Sequence, residues 1–521
     1  MNKISQIREA KNTKPRQLDA ASNAGWNAFL TFWSGIVSFL MAPFLIHYFG
    51  TDHYGIFMLI WSVAGILGVM NFGLGEATLR YVAHHHGDEN IEGMNRVFGA
   101  ALSFYIVICI LVSIAMYFCA PVITARLKID PADHALVTSL LRLSAAVFTL
   151  HIFTRAFSAV PMALQRYDVS CKINIGQNVM RTFGYIMLII LKFNLLYFLM
   201  WDIVSLILAF CIQNVVIKKL FPDLRLMPSL SFQGLKEIYG YSFFSLLTHG
   251  FYITLRESGK ILLATYLGPS PVAYFGTPDN ISQRVHTLIA NSSETLLPRF
   301  SANRDQRTAQ DLFLNGTWAS LTISLVLFIP LIVLMPDFLR LWINPDFARE
   351  GAAVGQLVAL SYITQSAYGP AGAFLRGTGK PWIVTVIFAL ASISTVSSCV
   401  LLIPHHGILG VGYAYIIGSV AHLLGLVVGW RLIFGRASIL SMTRTVALPL
   451  ILGSLAFFVE KIARGWLHDL NWFGLIALGA IFAGFVGLLI FSADWILGGD
   501  SSSKKVFLRI IRFNNSNKVL I

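Results

Sequence analysis

Fourteen long apolar runs alternate with short polar segments along the chain. Most runs are about twenty residues or longer, the length at which an α-helix crosses a hydrocarbon core of roughly 30 Å. The pattern therefore predicts an all-α, polytopic membrane protein with about fourteen transmembrane helices. Runs 2, 7, 8 and 10 are less apolar than a lipid-facing helix, so we expect them to line a cavity or to pack inside the bundle. In order, the runs cover residues 23–48, 54–78, 97–120, 135–160, 172–192, 195–217, 237–267, 272–297, 310–335, 352–374, 381–403, 407–430, 444–463 and 472–496.

The basic residues between the runs are distributed unevenly. The chain has 39 Lys and Arg against 25 Asp and Glu; 26 of the 39 fall in the N-terminal tail and in the gaps after even-numbered runs, and 7 fall in the other gaps. Cytoplasmic loops of membrane proteins keep Lys and Arg. The asymmetry therefore predicts that both termini are cytoplasmic. The net charge of +14 is spread thinly over short segments, which disfavours nucleic acid as a partner and fits contact with anionic lipid head groups.

Motifs for catalysis, metals and cofactors are absent from the sequence. The five cysteines form no CxxC pair and read as small apolar side chains. His84, His85 and His86 lie in a polar cytoplasmic loop, where a metal site is disfavoured. No loop exceeds about twenty residues, and no GxxxxGK[ST] nucleotide-binding loop occurs. We therefore expect neither an enzyme nor a protein with a cofactor or metal, and we read the first residues as a cytoplasmic tail and not as a cleaved signal peptide.

An internal repeat divides the chain into two lobes. The segment Leu45–Gly50 recurs 218 residues later as Leu263–Gly268, and Glu76 matches Glu294 at the same offset. A second pair, Ala163–Arg166 with Ala373–Arg376, has an offset of 210. These offsets correspond to six spans, so both lobes cross in the same direction, a usual construction of alternating-access transporters. The predicted organisation is a basic tail (1–22), an N-terminal six-helix lobe (23–220), a C-terminal six-helix lobe (221–434), two additional helices (435–496) and a basic amphipathic tail (497–521) on the inner leaflet.

Four glycine-rich or basic motifs accompany this organisation. They are Tyr48-Phe-Gly50 after span 1, Leu164-Gln-Arg166 after span 4, Phe374–Pro381 after span 10 and Gly407–Gly412 before span 12. With these motifs the whole chain resembles the polysaccharide-transport branch of the multidrug/oligosaccharidyl-lipid/polysaccharide (MOP) exporter superfamily, which includes the Wzx-type O-antigen flippases. The resemblance implies translocation of undecaprenyl-diphosphate-linked oligosaccharides across a bacterial cytoplasmic (inner) membrane, in O-antigen, capsule, lipopolysaccharide or exopolysaccharide biosynthesis. It also implies contact with other membrane proteins of polysaccharide assembly.

Six basic residues lie inside apolar runs: Arg142, Arg155, Arg181, Arg256, Lys260 and Arg284. Each charge at a span centre costs roughly 2.5–3.5 kcal/mol on insertion scales, so such a set indicates a function. Arg256 and Lys260 share one helix face, as do Asn280 and Arg284. We expect these residues and Gln283 to bind the cargo, because guanidinium groups match phosphate oxygens bidentately. Sugar rings could contact Tyr185, Tyr252, Tyr274 and Trp318.

A purely structural role for the same charges is also open. Glu257 could pair with Arg256 or Lys260, and Asp279 with Arg284 or a residue of span 7. Arg142, Arg155 and Arg181 could extend to the membrane interfaces. The acidic residues are at the same time candidates for coupling transport to an ion gradient: Glu76, Asp202, Glu257 and Asp279.

Three functions fit such a bundle. The first is the flippase implied by the resemblance. The second is an ion-coupled multidrug exporter of the same superfamily, although such exporters commonly have twelve spans and acidic coupling residues in the first lobe. The third is a polysaccharide polymerase or glycosyltransferase in the membrane, which is disfavoured because the chain has no long outer loop.

Overall fold

The computed structural model describes residues 20–71, 74–229, 231, 243–302, 305–435, 442–467 and 469–497. Its helices are α1 (Ala20–Leu67), α2 (Leu74–Gly87), α3 (Ile91–Arg126), α4 (His134–Ala163), α5 (Tyr167–Ile190), α6 (Leu195–Leu220), α7 (Phe243–Tyr266), α8 (Pro269–Glu294), α9 (Leu297–Ala302), α10 (Gln306–Trp342), α11 (Pro345–Gly377), α12 (Pro381–His406), α13 (Ile408–Phe434), α14 (Leu448–Gly465) and α15 (Trp472–Leu497). Short 3₁₀ turns cover Gly68–Asn71 and Pro131–Asp133, and a π turn covers Thr443–Ala447.

The predicted all-α fold class is confirmed. The described residues contain no strand, and every predicted run coincides with a helix or with part of one. One boundary was wrong: run 2 was expected to continue to residue 78, but the helix stops at Leu67 and a 3₁₀ turn follows. Gly68 and Asn71 explain the break, because both residue types have low helix propensity. The predicted tails lie almost entirely outside the described residues.

Two glycines separate the first pair of spans in each half of the chain. Gly50 interrupts α1 with φ 72° and ψ 174°, and Gly268 separates α7 from α8 with φ 102° and ψ −173°. A side chain with a Cβ is strained in this region, so glycine is the residue that permits the break. The two positions are those that the sequence repeat matches at an offset of 218, and they have the same backbone conformation.

Two further junctions repeat in the same way. Asn90 and Asp305, 215 residues apart, each cap the helix that follows by accepting a backbone N–H bond three residues on. Gln165 and Gly379, 214 residues apart, both have positive φ after the helix end. At each of these two ends a backbone N–H bonds to the carbonyl five residues back, as in a Schellman motif. The helix ends thus match four residues away from the 210 offset of the Arg166 and Arg376 sequence match.

The chain divides into two compact units, Met1–Gly250 and Phe251–Ile521. In the first unit, α4 contacts α1, α2, α3, α5 and α6 and forms the centre. In the second unit, α11 has the same place among α8, α9, α10, α12 and α13. α4 and α11 correspond to spans 4 and 10, which the repeat relates. The predicted lobe boundaries at residues 220 and 434 stay predictions.

The last two helices pack on α10 of the second unit. Arg464 of α14 donates two hydrogen bonds of 2.6 Å to the carboxylate of Asp337 on α10. Arg340, one turn further along α10, donates to Asp469 in the α14–α15 connection at 2.8 Å. Apolar side chains of all three helices pack beneath these ion pairs around Leu334 and Phe482. The C-terminal pair is thereby fixed to the second unit by both burial and paired charge.

Four long helices differ from the rest in composition. Nine stretches of helix within the described ranges are long and apolar enough to cross a membrane, and α5, α7, α8 and α11 are not among them. The sequence had singled out the runs of α7, α8 and α11 as too polar to face lipid. These four helices also carry most of the polar side chains described next.

Candidate functional site

A buried ion network joins α7 and α8 in the second unit. The Lys260 ammonium donates a 2.9 Å hydrogen bond to Oε2 of Glu257 and lies 3.9 Å from Oδ2 of Asp279. Only 5% of the Lys260 side chain is exposed, and both carboxylates are buried. The three-residue spacing of Glu257 and Lys260 places them on one face of α7. Of the pairings left open by the sequence, the structure shows Glu257 with Lys260 and Asp279 with a residue of span 7.

Tyr362 completes the network from α11. Its hydroxyl donates a 3.0 Å hydrogen bond to Oδ1 of Asp279. The ring of Tyr362 stacks on His286 at 5.3 Å, and the Nδ1 atom of His286 lies 2.9 Å from the Ser366 hydroxyl. Sequence reasoning missed Tyr362, which is 83 residues from Asp279. The lower apolarity of its span was the one signal that pointed to α11.

Arg256 is the exposed end of this network. Its Nε atom lies 3.1 Å from Oε1 of Glu257, and 36% of its side chain is exposed. Glu257 therefore contacts both cations of α7, and the four charged groups of the network balance to zero. Tyr415 on α13 secures this turn of α7, since its hydroxyl lies 3.1 Å from the backbone carbonyls of Leu255 and Arg256.

The other predicted residues of α8 are outside this network. Asp279, His286 and Ser293 are on the buried face of α8, whereas Arg284 is exposed. Asn280 and Gln283 are half-buried. The structure thus brings together Arg256, Lys260, Glu257 and Asp279 and places Arg284 on a different side of its helix.

A cavity opens beside Arg256 within the second unit. Its empty volume is about 410 Å³ with its open mouth. The lining comes from α7, α11 and α13 and consists of Tyr252, Leu255, Arg256, Ser361, Tyr362, Gln365, Tyr415, Ser419 and His422. Of the four aromatic residues proposed for sugar contact, Tyr252 alone is in this lining. Trp318 is buried, Tyr274 packs on Phe347 and the Tyr185 hydroxyl is bonded to Asp202.

The first unit has a smaller charged cluster between α5 and α6. Asp202 is almost fully buried; its Oδ2 accepts a 2.7 Å hydrogen bond from Tyr185, and its Oδ1 lies 3.9 Å from Nε of Arg181. The guanidinium of Arg181 lies 5.8 Å from the ring centres of both Trp61 and Tyr185. About 31% of the Arg181 side chain is exposed.

Both units therefore hold one carboxylate in the same chemical setting. In each, a tyrosine hydroxyl donates to one oxygen of a buried aspartate, and a basic nitrogen lies 3.9 Å from the other oxygen. The two aspartates are at positions that the repeat does not relate. Each unit thus carries a buried carboxylate with a loosely placed cation, an arrangement that can exchange a proton or a charge partner.

The remaining candidates lie apart from these clusters. Arg142 on α4 is exposed, with its guanidinium 4.5 Å from the ring centre of Tyr117. Arg155 is exposed on the same helix, and neither arginine has a carboxylate partner in the described part of the chain. The backbone of Glu76 is in α2, but its side chain lies outside the described residues.

Comparisons with known proteins agree on the kind of molecule. The MatE family model matches residues 27–187 and 244–401. A curated Shigella flexneri protein named "Putative O-antigen transporter" is 17% identical over 405 residues, which are 75% of this chain and 93% of that protein. The solved structure of the lipid II flippase MurJ in an inward closed conformation matches with a TM-score of 0.71 and 13% identity, over 89% of this chain and 98% of that one. An inward-facing multidrug MATE transporter of the MOP superfamily matches with a TM-score of 0.63 and 15% identity, over 78% of this chain and 94% of that one.

Proposed function

The chain belongs to the MatE family of membrane transporters, and from that premise we propose that it flips lipid-linked oligosaccharides. The cargo is an oligosaccharide repeat unit on undecaprenyl diphosphate, moved from the cytoplasmic to the outer leaflet. The two compact units act as the halves of an alternating-access carrier.

The observation that carries this proposal is the set of three accessible arginines at mid-helix. Arg181, Arg256 and Arg284 each lie at least nine residues from both ends of their helices, about 13 Å at 1.5 Å per residue. Their side chains are exposed or about one-third exposed. A guanidinium at this depth is costly against lipid, so these three indicate a water-lined path. A diphosphate is the part of the cargo that such forks bind best.

The distribution of charge favours an anionic cargo over a cationic drug. The spans contain six basic residues, and the acidic groups near them are Asp202, Glu257 and Asp279. Arg142 and Arg155 add positive charge without a described carboxylate partner. The names of the Shigella relative and of the lipid II flippase support the same direction. The multidrug exporter is the alternative, since that fold also matches this chain.

The buried carboxylates are the places where an ion gradient could act. Asp202 and Asp279 are the stronger candidates, because each is held by one tyrosine and one cation at 3.9 Å. Glu257 is already bonded to Lys260 at 2.9 Å. Glu76 stays a candidate from the sequence alone.

Complementation tests the proposal directly. The chain is expressed in bacteria that lack their own O-antigen flippase, and surface polysaccharide is measured beside resistance to a panel of cationic drugs. We expect polysaccharide to return and resistance to stay unchanged. Raised resistance without polysaccharide identifies the chain as a multidrug exporter.

The charge asymmetry also predicts the orientation in the cytoplasmic membrane. In a background without the five native cysteines, we expect Asp130→Cys to react with a membrane-impermeant maleimide on intact cells and Arg225→Cys to react only after lysis. Both positions are exposed, so the comparison is matched for access. Positions 304 and 436, outside the described residues, are expected to behave like 225. Strong labelling of Arg225→Cys on intact cells overturns the topology.

A further inference from the structure

A buried histidine in the cavity of the second unit has no hydrogen-bond partner. His422 is 2% exposed, and neither of its ring nitrogens is bonded to another described residue. Its ring lies 5.4 Å from Phe388 and 5.6 Å from Tyr368, centre to centre, so aromatic packing fixes its position. Buried polar groups in native proteins are rarely left unpaired, because the loss of hydration is not offset. Since His422 is part of the cavity lining, a bound molecule is the missing partner.

The other polar groups of this cavity supply both donors and acceptors. Gln365 has an amide, which donates and accepts. The hydroxyls of Ser361 and Ser419 donate to carbonyls of their own helices at 2.7 Å, so their oxygens are left to accept. The neutral imidazole of His422 has one nitrogen of each kind.

Electric charge at this cavity is already balanced. Arg256 is the cation of the lining, and its Nε atom is 3.1 Å from Glu257. Behind it, Lys260 and Asp279 add one charge of each sign. A phosphate would present acceptors alone and would leave the serine oxygens and one imidazole nitrogen unpaired. A hydroxyl group both donates and accepts, so it satisfies every member of this set.

We propose that this cavity is a subsite for one uncharged sugar ring of the cargo. Polar groups from three helices bind the ring hydroxyls, and the half-buried Tyr252 borders the ring, a mixture typical of small-molecule sites. The inference rests on the proposed function and assigns the C-terminal unit to the sugar, so that the diphosphate is bound elsewhere. Specificity for the repeat unit then depends on His422 and Gln365, since a missing hydroxyl leaves one of these groups unpaired.

Binding of free sugars to the purified full-length protein tests the subsite. Saturation-transfer NMR is run with N-acetylglucosamine, galactose and glucose, and separately with pyrophosphate by calorimetry. We expect at least one sugar to saturate the wild-type protein and to bind about tenfold more weakly to His422→Phe. Phenylalanine keeps the packing on Phe388 and removes both nitrogens. Gln365→Leu serves as a second variant if His422→Phe does not fold.

The control is the same substitution at an exposed histidine, His406→Phe, which is expected to bind like the wild type. No saturable sugar binding up to about 0.1 M, where even a millimolar site is filled, overturns the inference. Pyrophosphate binding that His422→Phe abolishes overturns it as well, since the cavity is then an anion site. Because the ligands are free sugars, failure of complementation rejects the flippase proposal without deciding this result.

Discussion

Replacement of Lys260 by methionine is expected to reduce the amount of folded protein in the membrane severalfold or more. The ammonium is buried between Glu257 at 2.9 Å and Asp279 at 3.9 Å. Removing one partner of a buried ion pair costs about 3–5 kcal/mol, because the remaining charge is left uncompensated. Here two buried carboxylates lose their shared cation. Fluorescence-detected size-exclusion chromatography of membranes and thermal unfolding of the purified protein measure the effect.

A charge-balanced double variant separates this cause from a packing defect. Lys260→Met with Asp279→Asn removes one charge of each sign, leaves Glu257 with Arg256, and keeps an oxygen for the Tyr362 hydroxyl. We expect it to recover most of the stability lost in the single variant. The matched control is Lys461→Met on the exposed face of α14, expected to change stability by no more than about 0.5 kcal/mol. Normal abundance of Lys260→Met alone contradicts the role given to this network.

Most of the fold was predictable because the membrane restricts it so strongly. A span needs about twenty apolar residues, and helices satisfy all backbone groups internally, so run lengths alone predicted the helices. The repeat was visible at Gly50 and Gly268, where only glycine permits the backbone conformation that both share. The break after Leu67 was not predicted, since two residues of low helix propensity interrupt a run that stays apolar.

The site was predictable only where it carries charge. Arg256, Lys260 and Asp279 were identified because an ionised group inside a span is costly, and the structure places them in one network. His422 and Tyr362 were missed. Neither is charged at a tyrosine's or neutral histidine's ordinary state, and both reach the site from helices far along the chain. Which side of α8 faces that network could not be predicted either, because polar residues occur all round this helix.

Reversal of the charge at Arg256 is expected to abolish export of surface polysaccharide. Arg256→Glu places a third carboxylate beside Glu257 and Asp279 at low dielectric, where Coulomb energies are large, and repels an anionic head group. Arg256→Lys is expected to keep partial export, since it retains the charge and loses the planar fork. Arg256→Ala is expected to lower export about tenfold or more, by loss of charge-assisted hydrogen bonds to the cargo. Complementation of a flippase-deficient strain measures all three.

Protein abundance decides whether these losses reflect transport. When Arg256 is truncated to alanine, Glu257 keeps its 2.9 Å bond to Lys260, so no carboxylate is orphaned and Arg256→Ala should accumulate normally. The control for charge reversal is Arg349→Glu, at an exposed position of the same unit, which is expected to export normally. If Arg256 serves mainly as a partner of Glu257, exchanging the two residues restores export to Arg256→Glu. Full export by Arg256→Glu alone removes the electrostatic role of this residue, because a cargo anion cannot pass an unpaired carboxylate here without cost.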